Sequence, residues 1–270
     1  MELRRLDELA AAQFGVDLPT AAALIMEGRV WIGAVPADKP GTAVAADTVL
    51  TCREKARKYA SRSGYKLEKA LAHFEVDPAE LTVCDIGASN GGFTDCLLQN
   101  GAAHVFSVDV AYGILAWELR NDERVTVLER TNARHLTPEQ LDNTICDMVT
   151  VDVSFISLKK IFPAIHRILK PEGTLITLVK PQFEAKPQQL GKNGILRDPA
   201  ADLPPLLADI FACAAENELQ LLGLTVSPIH GTNGNVEYLA HYRHTAKAPV
   251  SATSVEEHIA AVLDLQPDMG

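Results

Sequence analysis

The chain has 270 residues, 47% of them hydrophobic and 22% charged, which is the composition of a globular protein with one sizeable core and a small appendage. Its net charge of −10 argues against nucleic-acid binding through a uniformly basic surface, because phosphate recognition leaves a basic footprint. The five cysteines are scattered and lack C-x-x-C spacing, which supports neither a disulfide framework nor a zinc site and fits a reducing cytoplasm; early acidic residues and the lack of any window of about 18 apolar residues disfavour secretion and membrane insertion.

Residues 1–56 read as two short helices, "RLDELAAAQF" and "TAAALIMEGR", followed by short strands between Gly, Pro and Asp turns, a compact α+β module. From Arg53 to Lys69 seven basic residues stand against two acidic ones, a balance of +5 inside an otherwise acidic chain. Arg53, Lys55, Arg57, Lys58 and Arg62 are its candidate RNA contacts; a solvated helix face is the competing explanation. Residues 57–62 read as a basic linker. The stretch continues into a helix with Leu67, Ala70, Leu71 and Phe74 on one stripe and Ser63 as its expected cap.

From Thr82 strand and helix patterns alternate through five units: "TVCDIG" and "FTDCLLQN", "AHVFSVDV" and "YGILAWELR", "VTVLER" and "TPEQLD", "MVTVDVSF" and "SLKKIFPAIHRILK", "GTLITLVK" and "ADLPPLLADIFACAAEN". Such alternation builds a parallel sheet with helices on both faces. Thr137, Pro138 and Gln140 carry a capping-box signature. The last strands, "LQLLGLTVSP" and "NVEYLAHYR", are joined by a connection too short for a crossover and are expected to be antiparallel. Residues 63–246 thus form one α/β domain, and 247–270 read as a tail with at most one helix.

The glycine loop "VCDIGASNGGF" follows the first sheet strand and opens a helix, where backbone N–H groups can approach a ligand closely. Three explanations compete beyond a plain tight turn. The spacing departs from the G-x-G-x-x-G of a dinucleotide site, although Asp109 ends the next strand, where a carboxylate takes ribose hydroxyls. Gly87 to Gly91 also satisfy G-x-S-x-G, and Ser89, Asp152 and His230 follow the chain order of an α/β-hydrolase triad; a hydrolase would leave Lys66, Asp109 and Lys180 without roles. The preferred explanation is an S-adenosylmethionine site, with Asp85 and the loop at the methionine end and Asp109 at the ribose.

Asp152 ends the fourth sheet strand and Lys180 the fifth, so both emerge at the edge that carries the glycine loop. Pro181 biases Lys180 toward extended backbone and prolongs its strand. Lys66 on the preceding helix and Glu237, which opens the last strand, aim at the same edge. Structural ion pairs are the bland alternative. A ribose 2′-hydroxyl is a poor nucleophile at neutral pH, and methylating it asks for an amine that orients the oxygen and stabilises or accepts its proton. Lys180 is expected to be that amine, held by Asp152 and Glu237, with Lys66 supporting the network and no metal required.

"SRSGYKLEKAL", "CDIGASNGGFTDCLLQNGA", "SVDVAYGILAWELRNDERVTVLERTNAR", "VDVSFISL", "LVKPQFE" and "SPIHGTNGNVEYL" resemble, in order, the motifs of TlyA-type rRNA 2′-O-methyltransferases, relatives of FtsJ often labelled haemolysins. The resemblance implies a class I S-adenosylmethionine-dependent methyltransferase fold, a seven-stranded, mostly parallel sheet, preceded by an S4-type RNA-binding domain. It implies a catalytic tetrad at Lys66, Asp152, Lys180 and Glu237. The cofactor would meet Asp85, Gly87, Ala88, Ser89, Gly91, Gly92 and Phe93, with Asp109 at the ribose and Thr131 and Asn132 near adenine. The implied reaction is methyl transfer to cytidine ribose in ribosomal RNA or ribosomal subunits, in the cytoplasm, without membrane or metal. A non-catalytic ribosome-associated protein and a haemolysin are the alternatives. In the S4-type module four basic residues face seven acidic ones up to Asp47, so RNA grip is expected from the Arg53–Lys69 stretch and should weaken with salt.

Overall fold

The computed structural model describes residues 3–26, 28–33, 35–37, 39–52, 58–191, 194–231, 234–245 and 252–264. The chain divides into two compact units, Met1–Arg57 and Lys58–Gly270.

In the first unit β1 (Leu3–Arg5) leads into α1 (Leu6–Phe14) and α2 (Leu18–Met26), followed by β2 (Val30–Ile32), β3 (Val35–Pro36), β4 (Ala43–Ala45) and β5 (Leu50–Cys52). The α+β expectation holds. β1 pairs with β4, and β2 lies between β3 and β5, all antiparallel. Leu6, Leu9, Ala10, Ala21, Ile25, Val30 and Leu50 form its small core. Gln13 ties α1 to β5: its amide donates to the Thr48 carbonyl (2.7 Å) and accepts from the Leu50 N–H (3.0 Å). Among the described residues no single helix is long and apolar enough to cross a membrane.

The second unit begins with α3 (Gly64–His73), then β6 (Thr82–Ile86), α4 (Gly92–Gln99), β7 (His104–Val108), α5 (Trp117–Arg120), β8 (Val125–Leu128), β9 (Cys146–Val151), α6 (Phe162–Ile168), β10 (Leu169–Val179), α7 (Pro181–Glu184), α8 (Pro199–Glu216), β11 (Leu219–Val226), β12 (Tyr238–His244) and α9 (Ala252–Asp264). The sheet runs β11-β12-β10-β9-β6-β7-β8. β12 is antiparallel to both neighbours; the strands from β10 to β8 are parallel. The sheet is buried on both faces, and successive strand residues alternate between them. Cys84, Val149, Leu175 and Val179 join α6, α8 and α9. Val83, Met148, Ile176 and Leu178 join α3 and α4.

From β6 the chain adds β7 and β8 on one side, then returns to place β9 on the other. The switch point of the sheet therefore lies between the ends of β6 and β9, the crevice where open α/β sheets hold ligands.

Several expectations need correction. Lys58–Arg62 is not a free linker, because Tyr59 is buried in the core beneath α3 and α4. Ser63 does not cap α3: its backbone is already helical, and its hydroxyl pairs with that of Ser61 at 2.7 Å. The helix expected in "YGILAWELR" shrinks to α5, because Ala116 is held out of helical geometry and Asn90 of the glycine loop bonds the Ile114 carbonyl and the Ala116 N–H. The capping box at Thr137, Pro138 and Gln140 is present, Gln140 accepting from the Thr137 N–H at 3.1 Å, but it opens a 3-10 turn rather than an α-helix. Residues 252–264 form the one helix that the tail reading admits, but it is packed: Ile259 and Val262 of α9 are buried in the core with α8 and β11.

Candidate active site

Every expected catalytic side chain lies at the carboxyl edge of the parallel strands. Asp152 directly follows β9, and its N–H donates to the Ile86 carbonyl at the end of β6 (2.9 Å). Lys180 follows β10, is extended, and leads into α7 with Pro181 as the first helical residue. The Lys180 ammonium stands 2.6 Å from Asp152 Oδ1 and donates to Ser154 Oγ at 3.1 Å. The contact with Asp152 is a close charge pair rather than an aligned hydrogen bond, so attraction fixes the amine without committing a proton direction.

Lys66 and Glu237 form the second pair, at 2.5 Å, both buried, with side chains 8% and 3% exposed. Glu237 thus holds Lys66, not Lys180 as expected. The reason is the seating of α3 on β12, where the Phe74 and His241 rings meet at 5.3 Å. Cutting one partner out of such a pair strands the other charge in the interior. Glu237→Gln should therefore lower unfolding free energy by about 3 kcal/mol, read in a denaturant titration.

Two adjoining cavities share Gly87, Ser89, Asp152 and Ser154. One, of 340 Å³, is mostly apolar and reaches Asp109, Thr131 and Asn132. The other, of 450 Å³, is bounded by Lys66, Lys180, Arg62, Ser63, Asn90 and Phe93 among others. The first has the chemistry of a nucleoside pocket. Asp109 accepts from the Ser89 N–H through Oδ2 and from the Ala111 N–H through Oδ1, each at 2.8 Å. Each oxygen keeps capacity for a further donor, as a vicinal pair of ribose hydroxyls requires. The residues present therefore fit S-adenosylmethionine, with the nucleoside beside Asp109 and the methionine end beside the glycine loop.

The loop's geometry depends on glycine at its first turn. Gly87 has φ +84°, and a Cβ there would sit 2.3 Å from the Asp152 carbonyl oxygen. The crossing of β6 and β9 leaves no room for a side chain. Gly91 and Gly92 border neither cavity; their missing Cβ atoms admit Leu119 and the Ser61 and Ser63 hydroxyls instead. Ala88 and Phe93 line the second cavity.

Asp85 is displaced from its expected role. It is fully buried and borders neither cavity, accepting from Thr94 Oγ1 (2.7 Å) and Thr150 Oγ1 (2.9 Å). It acts as a strut joining β6, β9 and α4. Burial raises its pKa to about 6, opposed by the two hydroxyl donors. The folded state thus holds a proton that the unfolded state releases, and stability falls as pH rises from about 4 to 6. Asp85→Asn should remove that part of the slope, worth on the order of 3 kcal/mol, when unfolding midpoints are compared across this range.

The basic stretch is dispersed. Arg53, Lys55 and Arg57 lie outside the described residues. Lys58 is ion-paired with Glu68, and Lys69 donates to the Val226 carbonyl at 2.7 Å. Arg62 is exposed at the rim of the larger cavity. Ser89 Oγ points to Asn90 Oδ1 at 3.4 Å while Asp152 engages Lys180, which is not the wiring of a hydrolase triad.

The sequence reading missed Ser154, Phe155, Phe183 and Glu184. Phe155 is 91% exposed with φ +64°, and its ring lies 5.1 Å from that of Phe183. Glu184 holds this loop, accepting from Ser157 Oγ (2.6 Å) and the Leu158 N–H (2.7 Å). The available signal was proximity: "DVSF" and "KPQFE" contain these residues beside the two expected ones.

A family model described as FtsJ-like methyltransferase matches residues 59–244. The 16S/23S rRNA (cytidine-2′-O)-methyltransferase TlyA of Mycobacterium tuberculosis is 43% identical over 92% of this chain and 92% of its own length. A Bacillus subtilis protein named as a candidate rRNA methyltransferase, YqxC, is 44% identical over 89% of this chain and 85% of its own. The solved structure of a candidate hemolysin from Streptococcus thermophilus aligns with a TM-score of 0.76 at 39% identity, covering 98% of this chain and 97% of that one.

Proposed function

This chain belongs to the FtsJ-like methyltransferase family, and from that premise we propose that it methylates the 2′-hydroxyl of a cytidine ribose in ribosomal RNA. The observation that carries this reading is the pair of lysines, Lys66 and Lys180, each matched to one carboxylate, facing one cavity that adjoins the nucleoside pocket. S-adenosylmethionine is the cofactor and supplies an electrophilic methyl on a sulfonium.

The chain's own residues do the rest. Asp109 and the Thr131–Asn132 turn bind the nucleoside end, and Gly87 brings the loop against Asp152. Asp152 and Ser154 aim the Lys180 amine at the hydroxyl oxygen. The oxygen gains the methyl while its proton passes to solvent water, and the negative charge that develops on it faces Lys180 and Lys66. Glu237 keeps Lys66 in place and offsets the cost of burying it.

Phe155 lines the nucleoside pocket and leaves a flat apolar face open to solvent, in a left-handed conformation on the loop that Glu184 holds. It is suited to stacking an unpaired base, the usual way a protein grips single-stranded RNA. Phe155→Ala should raise the apparent KM for RNA about tenfold and, because the ring also lines the nucleoside pocket, weaken donor binding by a smaller factor in calorimetry. The Met1–Arg57 unit, read as an S4-type RNA-binding domain, and the exposed Arg62 would add binding that weakens with salt.

The function is tested by incubating the purified protein with tritiated S-adenosylmethionine and isolated ribosomal subunits. Label should appear in RNA and survive protease. Label absent from both subunits and from free rRNA would dismiss the assignment.

A further inference from the structure

A second cluster of ligating side chains lies at the opposite edge of the same sheet. His166 sits near the end of α6, Glu218 in the turn between α8 and β11, and His244 is the last residue of β12. β12 starts at the catalytic edge and takes six steps to His244, about 20 Å of strand. The cluster therefore has no part in the methyl-transfer site.

His166 Nδ1 and His244 Nε2 are 3.0 Å apart, and Glu218 Oε2 is 3.7 Å from the first and 3.8 Å from the second. A point equidistant from three atoms so spaced lies about 2.1 Å from each, the bond length of zinc to imidazole nitrogen or carboxylate oxygen.

The direction of His244 is fixed from behind. Its Nδ1 faces two backbone carbonyl oxygens, Leu169 at 2.9 Å and Lys170 at 3.0 Å. Carbonyls only accept, so Nδ1 carries the hydrogen and Nε2 turns its lone pair into the triangle. A back-side hydrogen bond to a carbonyl is how metal-binding histidines are held. A simple His166–His244 hydrogen bond explains the 3.0 Å separation but not the carboxylate oxygen almost equidistant from both nitrogens. Glu218 reaches that place from a left-handed backbone, φ +59°, which disfavours a residue with a side chain.

We propose that His166, Glu218 and His244 bind a divalent first-row transition ion, with zinc the best match for two imidazoles and a carboxylate. The ion pins the end of α6, the α8–β11 turn and the end of β12 together. His166 and Glu218 are 41% and 48% exposed in their side chains, so a water completes the coordination and a chelator can reach the ion. The role is structural, and it stands or falls independently of the methyl-transfer reading.

The test uses the full chain, stripped with chelator and titrated with Zn²⁺ and, as a spectroscopic probe, Co²⁺. We expect one equivalent of zinc per chain, a rise in Tm of about 5 °C at excess zinc, and visible cobalt bands without the thiolate charge-transfer absorption that binding at cysteine would add. Affinity should fall at least about tenfold in His166→Gln and in Glu218→Gln. If His166→Gln does not fold, Glu218→Gln, altered only at an exposed tip, carries the test. Absence of binding, a thiolate signature, or affinity unchanged in the variants would overturn the proposal.

Discussion

Lys180→Ala should lower the methyl-transfer rate by about a thousandfold while the affinity for S-adenosylmethionine changes less than a few-fold. The split follows from where the side chain stands. Its amine faces the 450 Å³ cavity, whereas Asp109, Thr131 and Asn132 line the neighbouring one and do not depend on it. Removing the amine leaves the hydroxyl oxygen without the cation that aims it and meets its developing charge. Asp152 is then left unpaired beside the reacting oxygen, where its charge opposes the reaction. Lys180→Arg should rescue little, because a planar guanidinium cannot occupy the place of a compact ammonium held between Asp152 and Ser154. Single-turnover assays at saturating donor, paired with calorimetry, separate the two effects. Loss of donor binding in step with rate would mean that Lys180 builds the pocket rather than performs the chemistry.

Gly87→Ala should act the other way round, removing donor binding and stability together. The added Cβ would meet the Asp152 carbonyl oxygen at 2.3 Å and its carbon at 2.8 Å, both backbone atoms, at a φ of +84°. Relief requires parting the ends of β6 and β9, which closes the crevice and moves Asp152 away from Lys180. A cost of about 3 kcal/mol or more is expected, which lowers Tm by about 10 °C for a chain of this size. Gly234→Ala is the internal control. It has the same φ of +84° but nothing within 4 Å of the added carbon, so it should cost only the conformational penalty of about 1 kcal/mol. Similar losses in both variants would show that backbone strain, not the crossing of the two strands, governs the loop.

Much of this arrangement was legible beforehand because parallel α/β topology is written locally. Strand and helix periods alternate along the chain, and the rule that strand ends carry the site brings Asp152, Lys180 and Asp109 to one edge. What the sequence left open depends on how helices seat on the sheet. That Glu237 pairs with Lys66 follows from α3 lying against β12, a contact between residues 171 positions apart. Asp85 stands one residue before the strand end, and its burial is evident only when Thr94 and Thr150 close over it. Basic residues look alike in sequence, yet Lys58 and Lys69 are engaged by Glu68 and Val226 while Arg62 stays open to solvent. The short apolar pattern of α9 did not reveal that Ile259 and Val262 complete the core. The histidines of the candidate metal cluster lie on different elements, so spacing alone could not join them.

The chemistry assigned to this edge of the sheet is tested most directly by mass-spectrometric mapping of rRNA after incubation with donor and either wild-type protein or Lys180→Ala. A 2′-O-methylcytidine formed by the wild type and missing with the variant is the predicted result; equal methylation by both proteins, or a methyl placed on a base instead of a ribose, would contradict it.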